Sequence, residues 1–221
     1  MTAPVARRLG LVTDRRRLAA GLGRSCDDAA ALLGPQVESA AALGLAFVQV
    51  REPDLDAVTL WRLVGRLVAV AAGRTRILVN DRADVAVACG AGLHLKQASM
   101  AAGDLRPWLP PGTFVSRAVH CVAEVGDAGP VDALVAGTAA ATPSKPPGTP
   151  TLGPAGLASL VAAASGCPVF AIGDLTAADW PWVRGSGAFG VAAIGMFLPR
   201  PGESSAAAVV RAVSAFDAVI D

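Results

Sequence analysis

Eight short apolar runs alternate with longer helical patterns along the chain, and this alternation constrains the fold more than any other feature. The runs are residues 9–13, 46–50, 76–79, 92–95, 113–116, 133–136, 168–172 and 189–193. Each is nearly continuous in apolar residues, which is typical of strands that are buried on both faces. Repeated strand–helix units of this kind predict a parallel sheet covered by helices.

Eight strand–helix pairs in 221 residues predict one α/β domain over residues 1–221, a single (β/α)8 TIM barrel. An open doubly wound sheet is the alternative, but no G-x-G-x-x-G follows the first run and no Walker A sequence occurs. Residues 1–8 are expected to form a flexible N-terminus. In a barrel of this class, function lies in the loops that follow the strands.

Charge and composition exclude several classes of function. The 19 Lys and Arg residues nearly balance the 18 Asp and Glu residues, and the net charge of +1 argues against binding to nucleic acid or to an acidic membrane. Hydrophobic residues make up 53% of the chain, enough for a large core, and every apolar run is too short to span a membrane. Because the first residues lack a signal-peptide pattern, we expect a cytoplasmic protein that binds a small molecule.

Two apolar stripes have the spacing of helices that cover a sheet. One comprises Leu60, Leu63, Val64 and Leu67, and the other comprises Val209, Val213, Phe216 and Ile220. Gly44 and Gly90 follow helical patterns, at positions where a glycine in the left-handed conformation ends a helix.

Polar residues at the predicted strand ends would surround one mouth of the barrel. They are Thr13, Asp14, Gln49, Arg51, Glu52, Asn80, Asp81, His94, Gln97, His120, Thr142, Ser144, Lys145 and Asp174. Arg51 and Lys145 suit a phosphorylated ligand, because arginine offers a planar fork of donors and lysine a compact charge. The hydroxyl groups of Thr142 and Ser144 would assist them. The Pro- and Gly-rich segment 142–154 is predicted to be a functional loop.

Several of these residues have a structural interpretation beside the functional one. Asn80 and Asp81 offer oxygens suited to Mg²⁺, yet Asp81 could equally cap a helix that begins at Arg82. Glu52 could pair with Arg51 on the rim. His94 lies in an apolar strand and is more typical of a core or lumen histidine than of a catalytic base. For His120, a role in the functional site and a role at the start of a helix are equally compatible with the sequence.

Five segments in fixed order carry a family resemblance. They are VQVRE at 48–52, LVNDRADVAVACGAGLHLKQ at 78–97, TPSK at 142–145, FAIGDL at 170–175 and GVAAIGMF at 190–197. Together they resemble the thiamine phosphate synthase and TenI-like family over about residues 11–197. The block from Asn80 to Gln97 is the most specific part of this resemblance.

The resemblance implies a TIM barrel and a transferase of thiamine biosynthesis. Such an enzyme joins a pyrimidine carried as its pyrophosphate to a thiazole phosphate and releases pyrophosphate with the help of Mg²⁺. It implies Arg51, Lys145 and His120 as catalytic residues and Asp81 as the Mg²⁺ ligand. Substrate contacts are implied for Gln49, Glu52, Asn80, Gln97, Thr142, Ser144, Gly173, Asp174 and Ile194. The implied partners are small phosphorylated or thiazole and pyrimidine metabolites, and the family also suggests a homodimer.

The chain departs from the family pattern at several of these positions. Pro53 replaces a pyrophosphate-binding lysine, for which Lys96 is a candidate substitute, and Ser99 replaces the second Mg²⁺ carboxylate. Ala118 and Gly195 each replace a serine. Asp174 replaces a glycine in the loop that would bind the thiazole phosphate, where a carboxylate is expected to repel phosphate.

Two other functions are weighed against the synthase. One is a TenI-like isomerase or related thiazole-metabolite enzyme that would use His120 or Glu52 as its base. The other is a non-catalytic binding or regulatory protein that kept the barrel. Dependence on Mg²⁺ would distinguish the synthase from both.

Overall fold

The computed structural model describes residues 8–142, 146 and 148–219 of the chain. Eight parallel strands close into a barrel in sequence order, and β8 pairs with β1. The strands are β1 (Leu9–Val12), β2 (Phe47–Val50), β3 (Arg76–Asn80), β4 (Gly92–Leu95), β5 (Val115–Val119), β6 (Ala133–Gly137), β7 (Val169–Ile172) and β8 (Gly190–Ala193). The predicted (β/α)8 barrel is confirmed.

Helices follow the strands and cover the outside of the barrel. Within the described residues they are α1 (Arg15–Leu22), α2 (Ala29–Leu43), α3 (Ala57–Ala71), α4 (Ala83–Cys89), α5 (Ala102–Leu105), α6 (Val122–Gly126), α7 (Gly153–Ala163), α8 (Trp180–Gly185) and α9 (Ser205–Asp217). The carboxylates of Asp14, Asp28 and Asp56 accept backbone N–H groups at the starts of α1, α2 and α3. Gly44 and Gly90 end α2 and α4 with φ values of 73° and 64°, as predicted.

Both predicted apolar stripes face the core. All four residues of the first stripe are buried in α3, and Val209, Val213 and Phe216 are buried in α9. Ile220 lies outside the described residues, as do residues 1–7 of the predicted N-terminal segment. In the part of the chain that is described, no helix is both long and apolar enough to cross a membrane.

Strand β5 lies further along the chain than the predicted run 113–116. Thr113 belongs to a turn, because its N–H and its hydroxyl both donate to the Pro110 carbonyl, at 3.1 and 2.7 Å. The strand then continues through Arg117, which is buried and donates to three backbone carbonyls of the loop after β4. A charged residue such as Arg117 interrupts an apolar run, and its partners lie in another loop where the local sequence does not show them. The prediction therefore ended the strand too early.

An apolar plug fills the barrel interior and consists of Val12, Phe47, Leu78, Ala133, Val135, Phe170 and Ala192. The rings of Phe47 and Phe170 meet edge to face with their centroids 5.0 Å apart. Side chains alternate between the two faces of a strand, so the next inward residues after Phe47 and Leu78 are Gln49 and Asn80. The interior therefore changes from apolar to polar towards the carboxyl ends of β2 and β3.

We predict that Gly10→Ala destabilises the barrel, because a Cβ at this position would lie 2.2 Å from the Phe47 ring. Overpacking of this kind should lower the free energy of unfolding by about 1–3 kcal/mol. Gly65→Ala is the matched control, since Gly65 lies in α3 with nothing within 4 Å of the added Cβ. Urea denaturation followed by circular dichroism measures both, and equal midpoints for the two variants would contradict the packing argument.

Candidate active site

A cavity of about 510 Å³ opens at the carboxyl ends of the strands. Most of the predicted site residues line it: Gln49, Arg51, Asn80, Gln97, His120, Thr142, Gly173, Asp174 and Ile194. Ser144 and Lys145 lie outside the described residues. Arg17, which the sequence did not single out, also lines the cavity. Its only signal is the Arg15-Arg16-Arg17 run that directly follows the first strand and its cap.

A second cavity, of about 530 Å³, lies at the opposite end of the barrel. Its charged residues are engaged elsewhere or stacked: Asp132 pairs with Arg106 at 2.6 Å, and the Arg76 guanidinium lies 4.9 Å from the centroid of the Phe114 ring. Because strand carboxyl ends carry the chemistry in barrels of this class, the first cavity is the candidate active site.

Glu52 corrects two of the sequence expectations. It is buried and lies outside the cavity lining, and it does not pair with Arg51. Its carboxylate accepts the Thr13 hydroxyl at 2.6 Å and the Arg15 backbone N–H at 3.1 Å, and Arg15 Nη1 at 3.0 Å. Burial raises the pKa of Glu52, although Thr13 and Arg15 oppose this shift. Its local partners make it a structural link between β1 and β2 rather than a substrate contact or a base.

The same link positions Arg51. The Arg51 backbone N–H donates to Thr13 Oγ1 at 3.0 Å, so the first residue after β2 is tied to the loop after β1. Arg15 also binds both oxygens of Asp54 at 2.6 Å and holds the pKa of that carboxyl well below its usual range. Within the described residues, no carboxylate pairs with Arg51 or Arg17, and both side chains are exposed. Two uncompensated guanidinium groups thus line one side of the cavity.

Gln49 and Asn80 form a fixed pair of amides at the ends of β2 and β3. The Gln49 side chain is buried, and its Nε2 donates to Asn80 Oδ1 at 2.9 Å. Because the Asn80 oxygen is occupied, its amide N–H groups are the atoms that can donate to a ligand.

His94 lies in the barrel interior, as interpreted from the sequence, and it also lines the cavity. Its Nδ1 lies 2.9 Å from Ser116 Oγ on the neighbouring strand. Burial lowers the pKa of His94 to about 4, an effect that nearby Arg51 reinforces and Asp81 opposes. The imidazole is therefore neutral at physiological pH.

Asp81 does not cap a helix, so that interpretation was wrong. Helix α4 begins at Ala83, and its N-cap is Arg82, which makes no side-chain cap bond. Asp81 adopts a φ of 57°, and its backbone N–H donates to the His94 carbonyl at 2.8 Å. Its carboxylate instead accepts the Ser99 hydroxyl and pairs with Lys96 Nζ at 2.5 Å. Lys96 lines the cavity, whereas Asp81 does not.

His120 lies at the cavity and just before a helix, the two places that the sequence left open for it. It lines the cavity directly after β5 and precedes α6, where Glu124 binds its backbone N–H at 2.7 Å and its Nδ1 at 3.2 Å. Glu124 therefore fixes the orientation of the exposed ring.

Asp174 and Gly195 face each other across the loops after β7 and β8. A Cβ at Gly195 would lie 2.9 Å from Asp174 Oδ1, so the glycine leaves room for the carboxylate. Gly173 is also required, because a Cβ there would lie 2.8 Å from the Ala140 backbone N and O. Asp174 lines the cavity, and no described residue donates a hydrogen bond to its exposed carboxylate. This side of the cavity is negatively charged.

Sequence comparisons with known proteins agree on one family. The family model described as thiamine monophosphate synthase matches residues 24–197. The thiamine-phosphate synthase of Albidiferax ferrireducens is 36% identical over 86% of this chain and 83% of its own length. That of Azorhizobium caulinodans is 31% identical over 96% of this chain and 97% of its own length. The solved thiamine phosphate pyrophosphorylase from Pyrococcus furiosus shares the fold, with a TM-score of 0.77, 21% identity and 98% coverage of both chains.

We predict that His94 stays neutral in the folded protein down to about pH 5, because its pKa is about 4. Because this pKa lies below the ordinary value of about 6.5, the unfolded chain binds a proton at His94 more readily than the folded protein does. The free energy of unfolding therefore falls as the pH is lowered from 6.5 towards 4. The chain has two histidines, and His120→Asn leaves His94 as the only one. Long-range ¹H–¹⁵N spectra of this variant across pH would contradict the prediction if the ring titrated near 6.5.

Proposed function

This chain belongs to the thiamine monophosphate synthase family, and we propose that it is a thiamine-phosphate synthase. In this reaction the C–O bond of a pyrimidine methyl pyrophosphate breaks, and its electron pair leaves on the pyrophosphate. The thiazole phosphate supplies the electron pair for the new bond to the same carbon. The observation that carries the proposal is the pair of uncompensated guanidinium groups, Arg17 and Arg51, beside fixed amide donors at the carboxyl ends of the strands.

The described residues divide into groups with different tasks. Arg51 would bind the pyrophosphate and neutralise the charge that develops on it as the C–O bond breaks, because a guanidinium can donate two parallel hydrogen bonds. The Asn80 amide, fixed by Gln49, would orient the pyrimidine or its pyrophosphate. Thr142 after β6 and Gln97 after β4 also line the cavity and would contact the same substrate. His120, Ser144 and Lys145 keep their proposed catalytic and binding roles as predictions.

Mg²⁺ is the cofactor that the resemblance implies, with Asp81 as its ligand. The donor atoms do not suit it. Both Asp81 oxygens are engaged, one by the Lys96 ammonium and one by the Ser99 hydroxyl. Among the described residues, no group of three or more His, Cys, Asp or Glu side chains could hold a metal ion. No step of the proposed reaction is therefore assigned to a metal, and the homodimer likewise stays a prediction.

The isomerase alternative loses one of its two candidate bases. Glu52 is enclosed by Thr13 and Arg15 and does not reach the cavity. His94 is neutral, but its Nδ1 contacts Ser116 in the barrel interior. No observation on the described residues favours the isomerase or a non-catalytic protein over the synthase.

The proposed activity is tested by incubating the full chain with the pyrimidine pyrophosphate and the thiazole phosphate. Thiamine phosphate and pyrophosphate should form in equal amounts, measured by chromatography and by a pyrophosphate assay. Arg51→Ala should lower kcat/KM by about 100-fold or more, as loss of a donor to developing charge does elsewhere. Arg62→Ala, an exposed position on α3 away from the cavity, is the matched control. Absence of product in the wild type, with or without Mg²⁺, would reject the proposal.

We predict that Asp174→Gly tightens binding of the thiazole phosphate. Two like charges about 4 Å apart near a protein surface repel by up to about 4 kcal/mol, and screening of an exposed group leaves a gain of about 10- to 100-fold in affinity. Calorimetry at low and high salt measures it, and the gain should shrink at high salt. Asp127→Asn, an exposed carboxylate outside the cavity, is the charge control. An unchanged or weaker affinity in Asp174→Gly would show that Asp174 does not oppose the phosphate.

A further inference from the structure

Lys96, Asp81 and Ser99 form a compact group at the cavity wall, which we call the Lys96 cluster. Lys96 Nζ lies 2.5 Å from Asp81 Oδ2, and the Ser99 hydroxyl donates to the other carboxylate oxygen. The Ser99 hydroxyl oxygen in turn accepts the Lys96 backbone N–H at 2.9 Å. The lysine side chain is 59% exposed and lines the cavity, whereas the Asp81 side chain is 28% exposed and does not. The ammonium therefore stands in front of the carboxylate.

The loop that carries Lys96 is held rigidly from the neighbouring strand. Buried Arg117 donates to the carbonyls of Gln97 at 2.8 Å, Met100 at 3.0 Å and Ser99 at 3.2 Å. The Ser99 backbone N–H also donates to the Lys96 carbonyl at 3.1 Å, which closes a turn. Asp81 is held as firmly, because its backbone N–H donates to His94 on β4. The backbone beneath Lys96 is thus bonded in place and Asp81 orients the ammonium, which lowers the cost of using it.

The charges of the Lys96 cluster oppose binding of a divalent cation. One carboxylate and one ammonium sum to zero, so the cluster offers no excess negative charge. A Mg²⁺ ion at about 2.0–2.1 Å from an Asp81 oxygen would compete with the ammonium for the same carboxylate. The cluster does suit an anion, because an ammonium has three N–H donors and Asp81 engages one of them through Oδ2.

We propose that the Lys96 ammonium, positioned by Asp81 and Ser99, is a built-in cation that binds the pyrophosphate group in place of a divalent metal. This inference rests on the proposed function, since it names the group that receives the leaving pyrophosphate. Lys96 and Arg51 both line the cavity, and both can donate charged hydrogen bonds to the anion. Asp81 is a positioning residue that holds the ammonium. Pyrophosphate binding to this chain then requires Lys96 and does not require Mg²⁺.

Calorimetric titration of the full chain with inorganic pyrophosphate, in EDTA and in excess Mg²⁺, tests the inference. The wild type should bind in EDTA with an affinity within about threefold of that in Mg²⁺, because its cation is part of the chain. Lys96→Met, which keeps an unbranched side chain without the charge, should bind on the order of tenfold or more weakly in EDTA. Arg66→Met, an exposed cation on α3 outside the cavity, is the matched control and should bind like the wild type.

A second variant tests the exchange of lysine for metal directly. Lys96→Gly/Ser99→Asp removes the ammonium and places a second carboxylate beside Asp81, so its pyrophosphate affinity should become at least about tenfold higher in Mg²⁺ than in EDTA. Circular dichroism melting confirms that each variant is folded.

The outcomes separate the inference from the proposed function. Wild-type binding that is lost in EDTA, or Lys96→Met binding that equals the wild type in EDTA, would overturn the inference and leave the synthase proposal standing. No pyrophosphate binding in either buffer, together with no product in the synthase assay, would overturn both.

Discussion

The limited volume inside an eight-stranded barrel is the constraint on which the rest of this structure depends. Large rings can enter only where the facing strand carries a glycine: Gly10 faces Phe47, and Gly190 faces Phe170, with added Cβ atoms 2.2 and 2.9 Å from the respective rings. The apolar plug that results occupies much of that interior, and the buried His94 and Ser116 are partners for each other beside it. The next inward residues, Gln49 and Asn80, therefore meet at the carboxyl ends and form the floor of the cavity.

Above that floor, the ion pairs decide which charges remain available to a ligand. Arg15 satisfies Glu52 and Asp54 together, and a buried ionic group of this kind gains little net stability after desolvation. Its effect is on position, because it joins the ends of β1 and β2 and directs the Arg51 backbone. Since Glu52 and Asp54 bind Arg15 and Arg16, they do not pair with the guanidinium groups of Arg17 and Arg51, which stay available.

The fold could be predicted from the sequence because apolar residues repeat with a period that is characteristic of strands or of helices. Once the strands were located, the residues at their ends could be predicted too. What failed depends on partners far apart in the chain. The sequence suggested that Glu52 could pair with Arg51 on the rim, but the structure encloses it with Arg15. The sequence also offered Asp81 as a helix cap, but its carboxylate binds Lys96 and Ser99. Strand β5 was misplaced because buried Arg117 finds its acceptors in the loop after β4. Arg17 was missed because a run of arginines beside a helix start is usually only a solvated face.

The cavity that emerges is electrically asymmetric, and this asymmetry determines how a substrate pair can lie in it. Arg17, Arg51 and Lys96 place positive charge beside β1, β2 and β4, and the carboxylates on the lining are Asp14 at the start of α1 and Asp174 after β7. Charges of opposite sign at separate places on the lining create a field across a cavity whose low-dielectric sides strengthen it. In the proposed reaction the more highly charged anion, a pyrophosphate, would be drawn to the arginine and lysine side, which would leave the Asp174 side to the second substrate. Gly195 and Asp174 act as a unit there, because the room that the glycine leaves is the room that the carboxylate occupies. The two residues together therefore set what charge the second substrate can carry at that end.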